Sequence, residues 1–293
     1  MKDNGLLVQY FNANTPADQT LWAKAAKDAV TLKKIGATAV WFPPATKGAA
    51  GKEDMGYAPY DLYDLGEFNQ KGSVGTRYGT KKEYLEAIDA MKAQGINVYA
   101  DIAVRQKLGA DSVEKVTAAD FNAKDIPQMI GNKKIVGALS KFTFAGRRSK
   151  YSKFKWNWNH FAGIDWQQDD FKKRVCELSG MTEEEAEKKY KLSKYDYIIG
   201  SELDLYNQEV YDELMTWAKW YEDVTGVDGF RFQEAEKVPG WFIRDFAEAA
   251  SNAGEEEKEI FTVGDFWHWR CDYINDYICL LYTSPSPRDY AAS

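Results

Sequence analysis

Residues 226 to 237, Gly-Val-Asp-Gly-Phe-Arg-Phe-Gln-Glu-Ala-Glu-Lys, gather the side chains best suited to chemistry: Arg231, Gln233, Glu234, Glu236 and Lys237. A β-rich run (Val227, Phe230, Phe232) ends in these polar residues, and an amphipathic stretch begins at Pro239. That pattern is a strand delivering side chains to the C-terminal rim of a sheet or barrel, where α/β enzymes keep their chemistry. Side chains alternate along a strand, so Glu234 is expected to point away from a pocket that receives Gln233. Other chemistries are excluded early. The two histidines, His160 and His268, are too few for a histidine-based metal site. Cys176, Cys271 and Cys279 lack metal or redox spacing and read as free thiols. No Gly-Lys-Ser/Thr phosphate loop and no G-x-G-x-x-G are present.

The elements that must position these residues follow a simple rhythm. Leu6 to Phe11 is an apolar run suited to a buried parallel strand, and residues 20 to 35 have helical spacing with Gly36 as their stop. Ala39 to Phe42 reads as a second buried strand, ended by Pro43-Pro44. Thr80 to Gln94 is a helix stopped by Gly95, and Ile96 to Val104 a third strand. Strands and helices alternating without hairpin signals mean βαβ units and a parallel sheet. The rhythm then breaks for about a hundred residues rich in Lys, Gly, Tyr and Trp, an excursion better read as an inserted subdomain than as a loop. Within it Thr182 and Glu185 form a capping-box start for a helix ending near Leu192. A helix from Gln208 to about Val224, a strand over 227 to 232, a helix from Pro239 to Asn252 and a strand from Ile260 to Phe266 complete the series.

Composition is that of an ordinary globular chain, with 44% hydrophobic and 28% charged residues in 293. A net charge of −7 argues against nucleic acid or an anionic membrane as partner, and no apolar run is long enough to span a bilayer. The start, Met-Lys-Asp-Asn-Gly-Leu-Leu-Val-Gln-Tyr, has no apolar signal core, so a cytoplasmic monomer is expected. Ten Trp and eighteen Tyr are many, and serve equally as core or as sugar-stacking platforms.

The 226–237 stretch resembles the fourth-strand motif of the α-amylase family of glycoside hydrolases, G-F-R-x-D-x-x-K-H: Gly229, Phe230 and Arg231 match. Further matches are Ala39-Val40-Trp41-Phe42-Pro43-Pro44, the segment from Tyr60 to Phe68, the segment from Lys71 to Thr80, Phe154-Lys155-Trp156 and Phe261-Thr262-Val263-Gly264. The resemblance runs from about residue 5 to 278, closest to liquefying-type bacterial and cytoplasmic α-amylases. It implies an α/β fold, a partial TIM (β/α)8 barrel of strands one to five with a side domain inserted after strand three. The implied divisions are residues 1–104 and 208–278 for the barrel and 105–207 for the insertion. Residues 279–293 read as a translated sequencing adapter, which makes the chain a fragment.

The reaction implied is retaining cleavage of α-1,4-glucosidic bonds in α-glucans and malto-oligosaccharides by two carboxylates ~5–5.5 Å apart. The resemblance places the nucleophile at Gln233, an amide with neither the charge nor the leaving ability required. It places the acid/base at Asp265, one methylene shorter than the family's Glu, a misplacement that can cost ~10²-fold. Arg231, which orients the nucleophile, is retained, with Tyr57, Gln106, Lys237 and Trp267 at sugar-contact positions. The family's calcium would take ligands at Arg105, Asp196, Glu202 and Asp204, and Ala162 replaces an Asp serving a second metal in some relatives. Arg105 brings a cation to a cation site, so calcium is expected to be weakened or absent, with Arg105 pairing instead with Asp196 or Glu202. Three readings stay open: a catalytically inactive or impaired homologue, an α-amylase active in full-length form, and a non-catalytic glucan- or partner-binding protein.

Overall fold

The computed structural model describes residues 5–122, 128–167, 172–177, 200–254, 258–267, 272, 274–275 and 277. The predicted helix over 182–192, Asp196 and the 279–293 tail lie outside the described residues.

Five strands form one parallel sheet, in the order β1 (Leu7–Gln9), β2 (Ala39–Phe42), β5 (Asn97–Ile102), β12 (Gly229–Phe232) and β13 (Phe261–Gly264). Helices α1 (Leu21–Lys34), α2 (Lys81–Ala93), α3 (Gln208–Thr225) and α4 (Gly240–Ser251) alternate with them. Each helix is bounded by the chemistry its sequence supplies. Thr80 and Glu83 close a reciprocal capping box on α2, with the Thr80 amide donating to the Glu83 carboxylate at 2.8 Å. The Asn207 side chain accepts the amides of Glu209 and Val210 at the start of α3. Gly36 and Gly226 take φ of +89° and +62° where α1 and α3 end, the left-handed conformation that suits glycine.

The core is aromatic. Trp22 of α1 packs against Phe42 at 5.2 Å and Tyr84 at 4.7 Å, while Phe246 of α4 meets Phe230 and Phe232, each at 5.3 Å. The buried first strand expected over Leu6–Phe11 is instead a three-residue strand with Leu6 and Leu7 more than 40% exposed. The reason is that β1 is hydrogen-bonded to β2 alone among the described strands.

Residues after β5 leave this sheet and build a second, antiparallel one. It comprises β6 (Gln106–Lys107), β7 (Ser112–Asn122), β8 (Gln128–Lys141), β9 (Phe161–Gln167), β10 (Lys172–Glu177) and β11 (Ser201–Leu203) in the order β6-β11-β9-β10-β7-β8. A two-strand ribbon, β3 (Lys47–Gly48) with β4 (Pro59–Asp61), lies between β2 and β5 in the chain. Buried charge ties these parts together. Asp61 of β4 accepts Arg147 Nε at 2.8 Å, both side chains being almost fully buried. Lys47, fully buried, donates to the carbonyls of Phe68, Ser73, Val74 and Gly75 and faces Asp64 at 3.6 Å.

Candidate functional site

The register of the parallel sheet explains how the polar residues meet. Arg231 of β12 lies opposite Asp101 of β5 on one side and Val263 of β13 on the other. Because Phe230 and Phe232 are turned to α4, Arg231 projects from the opposite face of β12. Its Nη1 donates to both Asp101 carboxylate oxygens at 3.0 and 3.1 Å, and its Nη2 donates to Asp265. The guanidinium carbon sits 4.5 Å from the ring centre of Trp41, a cation–π contact. Tyr57, from the loop before β4, donates its hydroxyl to Asp101 at 2.6 Å.

Asp101 is 2% exposed, and that burial pushes its carboxyl above the usual range against the opposing pull of Arg231 and Tyr57. Burial likewise raises the Tyr57 hydroxyl, reinforced by the neighbouring Asp101 charge, so it stays a donor. Sequence reasoning assigned Asp101 and Trp41 no role; an Asp inside an apolar strand, registered against an Arg, was the available signal.

One step beyond the last strand pair, where the chain begins to turn, the Gln233 backbone amide donates to the Ile102 carbonyl at 3.0 Å. The Asp265 amide donates to the Phe232 carbonyl, and the Asp265 carbonyl accepts the Ala235 amide at 2.8 Å, knitting the rims of β12 and β13 together. Arg231, Gln233 and Asp265 therefore lie at one rim of the parallel sheet. Gln233 is half-buried there, and the Asp265 carboxylate is engaged by Arg231. Trp267 is 80% exposed just beyond them.

Glu234 departs from the alternation expected of a strand. Its φ is +48°, so the chain turns as β12 ends and brings the carboxylate towards β5 instead of away from the rim. It accepts Arg105 Nη1 at 2.6 Å and Lys237 Nζ at 2.7 Å. Arg105 Nε also donates to Glu202 of β11 at 3.3 Å, one of the two pairings expected for it. Gln106 is buried and donates to the Tyr57 carbonyl at 3.1 Å, supporting the loop that carries that tyrosine. Asp204 accepts the Tyr206 amide at 3.1 Å, and Ala162 is buried in β9.

These residues do not fit a calcium ion. The Arg105 guanidinium is among the carboxylates, and no group of three or more His, Cys, Asp or Glu poised for a metal occurs among the described residues. Glu236, also on the turn after β12, is half-buried, and desolvation raises its carboxyl above the usual range.

No protein-family model matches the chain. It is 42% identical over 277 residues to an α-amylase of Geobacillus stearothermophilus, covering 94% of this chain and 50% of that protein. To the cytoplasmic α-amylase of Escherichia coli (strain K12) it is 36% identical over 284 residues, covering 94% and 56%. Among solved structures, an α-amylase from Malbranchea cinnamomea superposes with a TM-score of 0.54 at 15% identity, covering 94% of this chain and 50% of that one. An α-amylase of Geobacillus thermoleovorans complexed with acarbose gives 0.52 at 16%, covering 94% and 49%. The chain thus spans about half the length of the curated relatives it matches. No described helix is long and apolar enough to cross a membrane. With ordered sequence identity along nearly its whole length and a matching fold, the chain belongs to the α-amylase family.

Proposed function

We propose that this chain is an α-glucan-contacting homologue of the α-amylases that does not hydrolyse its ligand. The parallel sheet is read as the first five strands of a (β/α)8 barrel, with the antiparallel sheet as the domain inserted after strand three. The observation that carries the reading is the identity of residue 233, an uncharged glutamine at the rim where Arg231 and Asp265 meet. Retaining cleavage needs an anion there to form and release a glycosyl ester, and an amide supplies neither step. Arg231 holds Asp265, and its short stem draws it back from the bond to be protonated.

Tyr57, Gln106, Lys237 and Trp267 are proposed as glucan contacts, with exposed Trp267 a stacking face for a sugar ring. Calcium is proposed to be weakened or absent, because Arg105 occupies its ligand position. The protein is proposed to bind malto-oligosaccharides as a monomer, and to do so in the cytoplasm by analogy with the cytoplasmic relative. Titration with maltoheptaose, followed by Trp fluorescence, tests the binding. A saturable change is expected, and its absence at millimolar ligand refutes glucan contact by this chain.

A further inference from the structure

We propose that Glu202, Arg105, Glu234 and Lys237 form a calcium-independent ionic latch fastening the antiparallel sheet to the rim of the parallel sheet beside Gln233. The proposal deepens the function above and rests on its reading of calcium as weakened or absent. The four charges run in series: Glu202 to Arg105 at 3.3 Å, Arg105 to Glu234 at 2.6 Å, and Glu234 to Lys237 at 2.7 Å. Among these four residues, two cations alternate with two carboxylates.

The members come from three places in the chain. Glu202 belongs to β11 of the antiparallel sheet, and Arg105 lies in the passage from β5 to β6. Glu234 and Lys237 lie on the turn that follows β12. Backbone bonds flank the latch: the Leu203 amide donates to the Arg105 carbonyl at 2.7 Å, Glu202 registers with Gln106, and the Gln233 amide donates to the Ile102 carbonyl at 3.0 Å. Between the β12 turn and Arg105, the side-chain link is made by Glu234.

Burial gives the latch its strength. The Arg105 side chain is 5% exposed, those of Glu202 and Lys237 12% and that of Glu234 24%, so solvent and salt screen the contacts only in part. Burial lifts the Glu202 carboxyl above its usual range, helped by the nearby Glu234 charge, while Arg105 and Lys237 oppose that lift. Glu234 holds a left-handed φ of +48°, disfavoured for a residue with a Cβ, and accepts two cations in that conformation. Removing its charge therefore releases both contacts and the reason for the turn. The turn includes Gln233, so the latch holds the backbone on which that residue sits.

The test uses the full chain and its Glu234→Gln, Arg105→Met and doubly substituted forms, melted in EDTA and in calcium chloride. Limited proteolysis of each reads out opening of the 106–203 segment. Each single substitution is expected to lower the midpoint, the double to fall little further, and cleavage within 106–203 to rise about tenfold, the effect of one lost coupling of ordinary size. Glu234→Gln is isosteric and lies in a partly exposed turn, so it keeps the test informative should Arg105→Met not fold. Additive midpoints with unchanged cleavage overturn the latch. A rise of several degrees on adding calcium to the unsubstituted chain instead overturns the calcium reading on which it rests.

Discussion

Lys107 offers a quantitative test of how the second sheet is built. Its side chain is 1% exposed, and its ammonium nitrogen has no hydrogen-bond partner among the described residues. Three rings surround it, Trp156 at 5.2 Å, Phe142 at 5.4 Å and Phe144 at 5.6 Å. Removal from water pulls its pKa down from 10.5 to about 7, with Arg147 adding to the fall and Asp61 and Glu213 opposing it. The sign follows from proton counting. Between pH 7 and 10.5 the unfolded chain holds a proton on this amine and the folded chain does not, so stability rises with pH. The slope is ~1.4 kcal/mol per pH unit, and the whole window amounts to roughly 5 kcal/mol.

Lys107→Met keeps the stem and removes the titration. Urea unfolding of both proteins from pH 6 to pH 9.5 isolates the lysine, because the other groups cancel in the difference. The variant is expected to exceed the parent in stability below pH 7, by a margin that shrinks by ~1.4 kcal/mol for each unit above it. A difference that stays constant across this range refutes the reasoning, since the amine would then be in the same state on both sides of folding.

Further outcomes follow from the same contacts. Arg231→Met leaves Asp101 buried without its guanidinium and is expected to cost about 3–5 kcal/mol in urea unfolding, whereas a cost below about 1 kcal/mol contradicts the pairing. Thr80→Ala removes one arm of the α2 capping box and is expected to cost about 1 kcal/mol, visible as a lowered melting midpoint. Tyr57→Phe deletes a donor to a buried carboxylate and is expected to cost about 1–3 kcal/mol, with no loss expected only if water replaces the hydroxyl.

The parallel frame was legible because its strands announce themselves. Ala39 to Phe42 and Asn97 to Ile102 are apolar runs bounded by Pro, Gly and helical spacing, and burial on both faces leaves them little alternative. The antiparallel sheet was legible only as an excursion. Its long hairpin strands carry Lys and Glu among short apolar residues, so the period-two contrast is weak. The predicted capping box at Thr182 lies outside the described residues, while an equivalent box at Thr80 and Glu83 is formed. Within the site, motif spacing named Arg231, Gln233 and Asp265, and the structure brings Arg231 and Asp265 into contact, but strand alternation did not foresee the turn at Glu234. Alternation holds only while the backbone stays extended, and at Glu234 it does not. Lys47 shows a different limit: a lysine in a loop reads as solvent-exposed until carbonyls from residues 68 to 75 are seen to enclose it.

The central claim is that position 233 has lost the nucleophile and with it hydrolysis. Its most direct test is incubation of the chain with maltoheptaose and soluble starch, with reducing ends and anomeric configuration followed by NMR. The account predicts no cleavage above a protein-free control. Cleavage with retained configuration would contradict it, because a carboxylate at a position other than 233 would then be attacking the sugar.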